Sequence, residues 1–230
     1  NLHTRTAHMR VPILHITGWY DCFLDGSFAA FSDLTEQENA GAQKIIIGPW
    51  THDVSNQSQV YGDIDFPNSN YDLFTPMLFW LGNYLVVPNG AESMPNVTYY
   101  LMGDPAAVDE PGCEWIQADT WPPATRAKKV KLSPLGQITH YMVGPDSLSF
   151  TYDPNDPVPT FGGNNLFNPA GWQAAPDGLD ERPDVLSFET HLLTEPLRIE
   201  GTITAELLVS SNAPDTDFTL MILDVYPDGR

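Results

Sequence analysis

The chain has 230 residues, 42% of them hydrophobic, with 21 prolines and 17 glycines, the composition of a folded, turn-rich protein rather than a disordered one. Thirty acidic against ten basic residues leave a net charge of −20, a field that repels phosphate backbones and anionic lipid and argues against nucleic acid or a membrane surface as partner. No apolar run reaches about 18 residues, so no membrane-spanning helix is expected, and two cysteines, Cys22 and Cys113, are too few for a disulfide framework or a cysteine-based metal site.

The first residues, Asn1 to Arg5, carry neither a starting Met nor an apolar signal core, and the chain reads as though cut from a longer one. Nothing in the composition separates a cytoplasmic soluble protein from a secreted one.

Residues 11 to 48 read as one β-α-β unit. Val11-Pro12-Ile13-Leu14-His15-Ile16 is a short apolar run ending at Thr17-Gly18, as a buried parallel strand does. Leu24, Phe28, Phe31 and Leu34 follow at helical spacing, with Asn39-Ala40-Gly41 as the stop. Lys44 to Ile47 is a second buried strand, closed by Gly48-Pro49. Such a unit brings both strand ends to the same edge of a parallel sheet, where open α/β sheets build their sites.

A second helix is expected over 71–85, with Leu73, Met77, Leu81 and Tyr84 or Leu85 on one face. The pattern then changes. Short β-type runs at 97–102, 129–132 and 138–143 are separated by turn signals such as Gly103-Asp104-Pro105 and Pro134-Leu135-Gly136. An irregular stretch over 152–183 precedes further expected strands at 185–188, 203–209 and 218–225. Strands without intervening helices argue a β-sandwich. The expected fold is therefore α/β followed by all-β: residues 1–92 as the C-terminal end of an α/β sheet domain, and 93–230 as an incomplete jelly roll.

The candidate chemistry lies at the two strand ends. Asp21 follows the first strand in Gly18-Trp19-Tyr20-Asp21, and His52 follows the second in Gly48-Pro49-Trp50-Thr51-His52. In a Ser-His-acid site a carboxylate accepts the Nδ1 proton of the imidazole, fixes its tautomer and stabilises the imidazolium. Neighbouring parallel strand ends bring two such side chains within that reach, and the order acid then histidine matches the α/β-hydrolase order. Taken alone, an acid and a histidine in adjacent loops are more often a surface hydrogen bond or a capping pair than a catalytic one.

The flanking residues add to it. Gly18-Trp19-Tyr20-Asp21 with Phe23, and Gly48-Pro49-Trp50-Thr51-His52, resemble the acid and histidine motifs of the α/β-hydrolase family that contains cocaine esterases, α-amino-acid ester hydrolases, cephalosporin acylases and X-Pro dipeptidyl-peptidases. The resemblance continues through Val97 to Gly103, the 152–163 stretch, Arg182-Pro183-Asp184-Val185-Leu186 and Ala213 to Phe218. It implies a serine hydrolase acting on an ester, an amide or a short peptide through an acyl-enzyme, with His52 as general base and acid and Asp21 as its orienting acid. It also implies that Phe23, Leu166 and Phe167 line the substrate pocket, that the C-terminal domain is a jelly roll, and that the protein self-associates or associates with a preceding part. No cofactor or metal is expected; the acidic runs 63–65 and 153–156 lack EF-hand spacing.

The family's Gly-x-Ser-x-Gly elbow does not occur in these residues, so the nucleophile is expected to lie outside the chain. Ser27 and Ser32 fall on the first helix. Cys22 stands beside Asp21, whose charge raises a thiol pKa, so it is not read as a nucleophile. His15 alternates with apolar neighbours and reads as a satisfied core histidine. The rival reading is a non-enzymatic β-sandwich that binds carbohydrate through Trp115, Trp121 and Trp172, with a short α/β extension.

Overall fold

The computed structural model describes residues 6–38, 40–53, 60–107, 110–141, 144, 147–166, 170–171, 173–176 and 178–226. Strand β1 (Ile13–Tyr20), helix α1 (Leu24–Thr35) and strand β2 (Gln43–Thr51) form the expected unit. After them come the short ladder of β3 (Val60–Tyr61) with β4 (Ile64–Asp65), helix α2 (Phe74–Leu85) and a 3₁₀ turn at Ala91–Ser93. Strands β5 (Val97–Leu101) and β6 (Glu114–Ala118) and the hairpin of β7 (Lys131–Ser133) with β8 (Gln137–Thr139) complete the regular elements.

The main sheet has the order β1-β2-β5-β6, parallel except for the β5–β6 pair. Strands from both sides of residue 92 thus share one sheet, since Ile45 pairs with Val97 and Ile47 with Tyr99. As the central strand, β2 must be apolar on both faces. Ile45 and Ile47 pack with Phe31 of α1, Val97 and Tyr99, while Ile46 packs with Trp50, Ile64, Phe66 and Tyr100 on the other side. The helix face formed by Leu24, Phe28, Phe31 and Leu34 is the one turned to the core, with Phe31 and Leu34 fully buried. Trp19 extends this layer, stacking on Phe28 and donating its indole N–H to the Tyr100 carbonyl at 2.7 Å.

The register of β1 on β2 carries the site. Ile13 faces Gln43 and Gly18 faces Gly48, but the register then slips by one residue and Tyr20 faces Thr51. The slip is made possible by the two glycines. A Cβ on Gly18 would lie 2.1 Å from the Trp50 carbonyl oxygen, and one on Gly48 would lie 2.2 Å from the Trp50 ring. His15, in the same strand, meets Gln43 Oε1 at 2.9 Å and packs edge-on to Phe31. Burial lowers its pKa below the ordinary value despite the Gln43 hydrogen bond.

Two expectations need correction. Helix α2 begins at Phe74 rather than near Tyr71, because the Asp72 carboxylate accepts the backbone N–H groups of Phe74 and Thr75 at 3.0 and 3.1 Å. Its inward face is Trp80 and Asn83, with Leu73 buried just before its first turn, whereas Met77, Leu81 and Leu85 are exposed. The cause is Asn83: its carboxamide accepts the N–H groups of Asn89 and Gly90 and donates to Glu92 Oε1 at 2.8 Å, tying the helix to the turn that follows.

The second correction concerns the C-terminal strands. Beyond β6, the β7–β8 hairpin is the one ladder among the described residues, and the segments 185–188, 203–209 and 218–225 run without one. A β-pattern becomes a strand only when a neighbour takes up its backbone N–H and C=O groups. Here an isolated bridge joins Gln137 to Glu189, while Ile203, Leu207, Leu208, Phe218 and Leu220 stay exposed. The region is nevertheless tied to the sheet: Arg198 donates to the Tyr99 hydroxyl at 2.9 Å and to Glu200 at 2.6 Å, and Tyr226 packs into the core beside Tyr100. Burial, with the Glu200 carboxylate, pushes the Tyr99 hydroxyl up to about 12.

The glycine contact at the register slip leads to a direct test. Gly18→Ala is expected to lower the unfolding free energy by about 2 kcal/mol, the usual scale for overpacking, as measured by urea denaturation. A loss under about 0.5 kcal/mol, the level of a neutral surface change, would mean that β1 and β2 separate without cost.

Candidate functional site

Because Tyr20 and Thr51 face each other at the ends of β1 and β2, the next residues of each strand, Asp21 and His52, leave the sheet side by side. Nδ1 of His52 donates to Oδ1 of Asp21 at 3.1 Å. Asp21 turns into this position through a tight bend, with its own N–H on the Gly18 carbonyl and its carbonyl accepting from Leu24, the first residue of α1. Its carboxylate also takes the backbone N–H of Phe23 at 2.9 Å and the hydroxyl of buried Thr17 at 3.3 Å. Three donors from three different groups therefore fix the carboxylate before any ligand arrives.

The two partners differ in exposure. The Asp21 side chain is 6% exposed and that of His52 is 49% exposed. A buried acceptor holding one ring nitrogen leaves the other nitrogen, Nε2, on the open side. With the proton on Nδ1, Nε2 is a lone-pair acceptor, and the carboxylate stabilises the imidazolium that forms if Nε2 takes a proton. The Phe23 ring meets the His52 ring edge-on with centroids 4.9 Å apart, limiting the ring's rotation.

Cys22 lies beside the pair as a free, half-buried thiol; partial burial and then the Asp21 carboxylate raise its pKa. Its sulfur, an Asp21 oxygen and a His52 ring nitrogen lie within 4.8 Å of one another, the one group of three His, Cys or acidic side chains among the described residues with metal-ligand proximity.

Two residues that the sequence reading passed over hold the site. Thr17 was seen only as the end of a strand, yet it supplies a hydroxyl to the acid four residues on. Asn164 reaches back across 143 residues to donate its carboxamide to the Asp21 carbonyl at 3.2 Å. The signal for it was the adjacent Gly162-Gly163, both at positive φ, where the chain folds back on itself: Gly163 and Gly171 exchange backbone hydrogen bonds at 2.6 and 3.0 Å. Leu166, two residues past Asn164, is exposed, and Phe167 lies outside the described residues.

Two of the three tryptophans of the carbohydrate reading, Trp115 and Trp121, are packed among other aromatic side chains. Trp115 packs against Trp50, Tyr71 and Tyr100 and donates to the Asn68 carbonyl at 2.8 Å; Trp121 packs against Trp19, Phe28 and Tyr99. Trp172 lies outside the described residues. A cleft of about 350 Å³ between the end of α1 and Trp121 sits at the opposite, N-terminal edge of the strands and takes no part in the site.

The fold and the pair define the class: an α/β sheet with an acid and an imidazole joined at the carboxyl ends of adjacent parallel strands. The chain belongs to the X-Pro dipeptidyl-peptidase and cocaine-esterase family. Residues 89–230 match the X-Pro dipeptidyl-peptidase C-terminal non-catalytic domain, and residues 1–53 match the S15 X-Pro dipeptidyl-peptidase family. The cocaine esterase of Rhodococcus sp. (strain MB1 Bresler) is 33% identical over 247 residues, covering all of this chain and 41% of its own length. Two mycobacterial proteins with provisional serine-esterase names, from Mycobacterium bovis and Mycobacterium tuberculosis, are 24% identical over 225 residues, covering 95% of this chain and 33% of theirs. The chain thus spans less than half the length of these relatives.

The long-range contact from Asn164 has a measurable consequence. Asn164→Ala removes one neutral hydrogen bond, about 1 kcal/mol, and is expected to speed limited proteolysis within 155–171 several-fold while leaving the thermal midpoint within a few degrees. An unchanged cleavage rate would show that the contact does not anchor this loop.

Proposed function

We propose that this chain is the acid- and histidine-bearing part of a serine hydrolase that cleaves an ester or amide acyl bond. The observation that carries the reading is the 3.1 Å hydrogen bond from His52 Nδ1 to the buried Asp21 carboxylate at adjacent strand ends. His52 takes the proton of a serine hydroxyl through Nε2 as that serine attacks the acyl carbon, then returns it to the leaving group; Asp21 keeps the ring oriented and stabilises the imidazolium. The serine and its oxyanion hole lie outside these 230 residues, which contain no Gly-x-Ser-x-Gly elbow.

The substrate is a small ester, an amide or a short peptide, in keeping with the names of the relatives. Phe23, against the imidazole, and the loop carrying Leu166 and Phe167, anchored by Asn164, form part of the acyl pocket. The residues that follow β6 form part of the jelly roll of the longer protein, β5 and β6 being shared with the α/β sheet. The exposed apolar residues of α2 and of 203–225 are covered there by the rest of that protein or by a second copy.

The test uses both the chain and its longer form. The chain alone is expected to show no turnover of p-nitrophenyl acetate above the buffer rate. In a full-length protein containing it, Asp21→Asn is expected to lower kcat by roughly 10⁴-fold, the scale found when a triad acid is neutralised, and His52→Ala by at least as much, with the fold intact by circular dichroism. Turnover by the isolated chain that depends on His52, or a full-length Asp21→Asn variant within about tenfold of the parent, would overturn the reading.

A further inference from the structure

We propose that Asp21, Cys22 and His52 form a site for a borderline divalent cation of the zinc type. The trio offers a carboxylate oxygen, a thiolate sulfur and an imidazole nitrogen, the donor set that zinc and its analogues favour over calcium or magnesium. All three donor atoms lie within 4.8 Å of one another. Around a tetrahedral ion with bonds of about 2.0 to 2.3 Å, ligand atoms stand roughly 3.3 to 3.8 Å apart, so the widest separation in the trio closes by about 1 Å at most, while His52 Nδ1 and Asp21 Oδ1, 3.1 Å apart, open slightly.

The distribution of rigidity suits that movement. Asp21 is already held by the Phe23 N–H and the Thr17 hydroxyl, so its oxygens are presented without further ordering. Cys22 is half-buried and His52 half-exposed, and rotation about their side-chain bonds supplies the remaining approach. Three protein ligands leave the fourth position to water on the exposed side, as in an open zinc site. The net charge of −20 concentrates cations near the surface. On binding, the Cys22 thiol gives its proton to solvent as the sulfur–metal bond forms.

The site rests on the three side chains alone. Its effect rests on the function proposed above: an ion held by Asp21 and His52 replaces the hydrogen bond that orients the imidazole, and would therefore inhibit. Titration of the metal without substrate keeps the two apart.

The experiment adds Co²⁺ to the reduced 230-residue chain and follows the near-ultraviolet thiolate-to-cobalt absorption, then displaces it with Zn²⁺. One band is expected, saturating at one ion per chain and bleached by zinc. Cys22→Ser should abolish it and Cys113→Ser should leave it intact. His52→Ala should weaken zinc binding by more than about tenfold, since even changes behind a ligand cost that much. Absence of the band at saturating cobalt, its survival in Cys22→Ser, its loss in Cys113→Ser, or unchanged zinc affinity in His52→Ala would each overturn the site.

Discussion

The geometry of the site depends on how β1 is registered on β2. From Ile13 to Gly18 the partners are offset by a constant number of residues, and with that offset Asp21 would face Thr51. The one-residue slip before Tyr20 is what brings Asp21 to His52. A slip of this kind leaves an extra residue on one strand and bends it sharply. Here the backbone of Trp50 closes to a distance from Gly18 that no side chain permits. The indole of Trp50 meanwhile fills the space over Gly48, fully buried in the core behind the sheet. The two glycines and the tryptophan are thus one device, and the acid–imidazole contact is its product.

Much of this was legible in the sequence, for identifiable reasons. The runs before Gly18 and Gly48 are mainly apolar because β2, and to a lesser extent β1, are covered on both faces, and α1 shows its 3.6-residue stripe because only one face meets the sheet. Asp21 and His52 could be singled out because each directly follows such a run. The slip itself could not: it arises from the packing of Trp50 on two glycines, a contact between strands rather than a pattern along one. Thr17 was invisible for the same reason, and Asn164 was marked only by the neighbouring Gly162-Gly163, since a hydroxyl at a strand end and an amide in a loop acquire their role only when the carboxylate is placed beside them.

The failures are equally physical. Helix α2 is apolar on most of its surface, so periodicity could not tell which stripe faces inward, and the decision fell to a polar residue, Asn83, whose hydrogen bonds to 89–92 set the rotation. The later β-type segments have the alternation of strands but no ladder among the described residues, because pairing belongs to two segments at once and alternation only to one. What does hold this region is polar and long-range: Arg198 and Glu200 on Tyr99, and Asn164 on Asp21. Both parts of the chain thereby bear on the acid, one through the strand end and the other through the loop, in keeping with family matches at both ends of the sequence.

The central claim is that Asp21 fixes the tautomer of His52, and long-range ¹H–¹⁵N correlation of the imidazole nitrogens tests it most directly. At a pH where the ring is neutral, the proton is predicted on Nδ1 in the unmodified chain, leaving Nε2 as the bare nitrogen, and Asp21→Asn is predicted to shift the population toward the Nε2–H form. A ring that carries its proton on Nε2 in the unmodified chain would contradict the account.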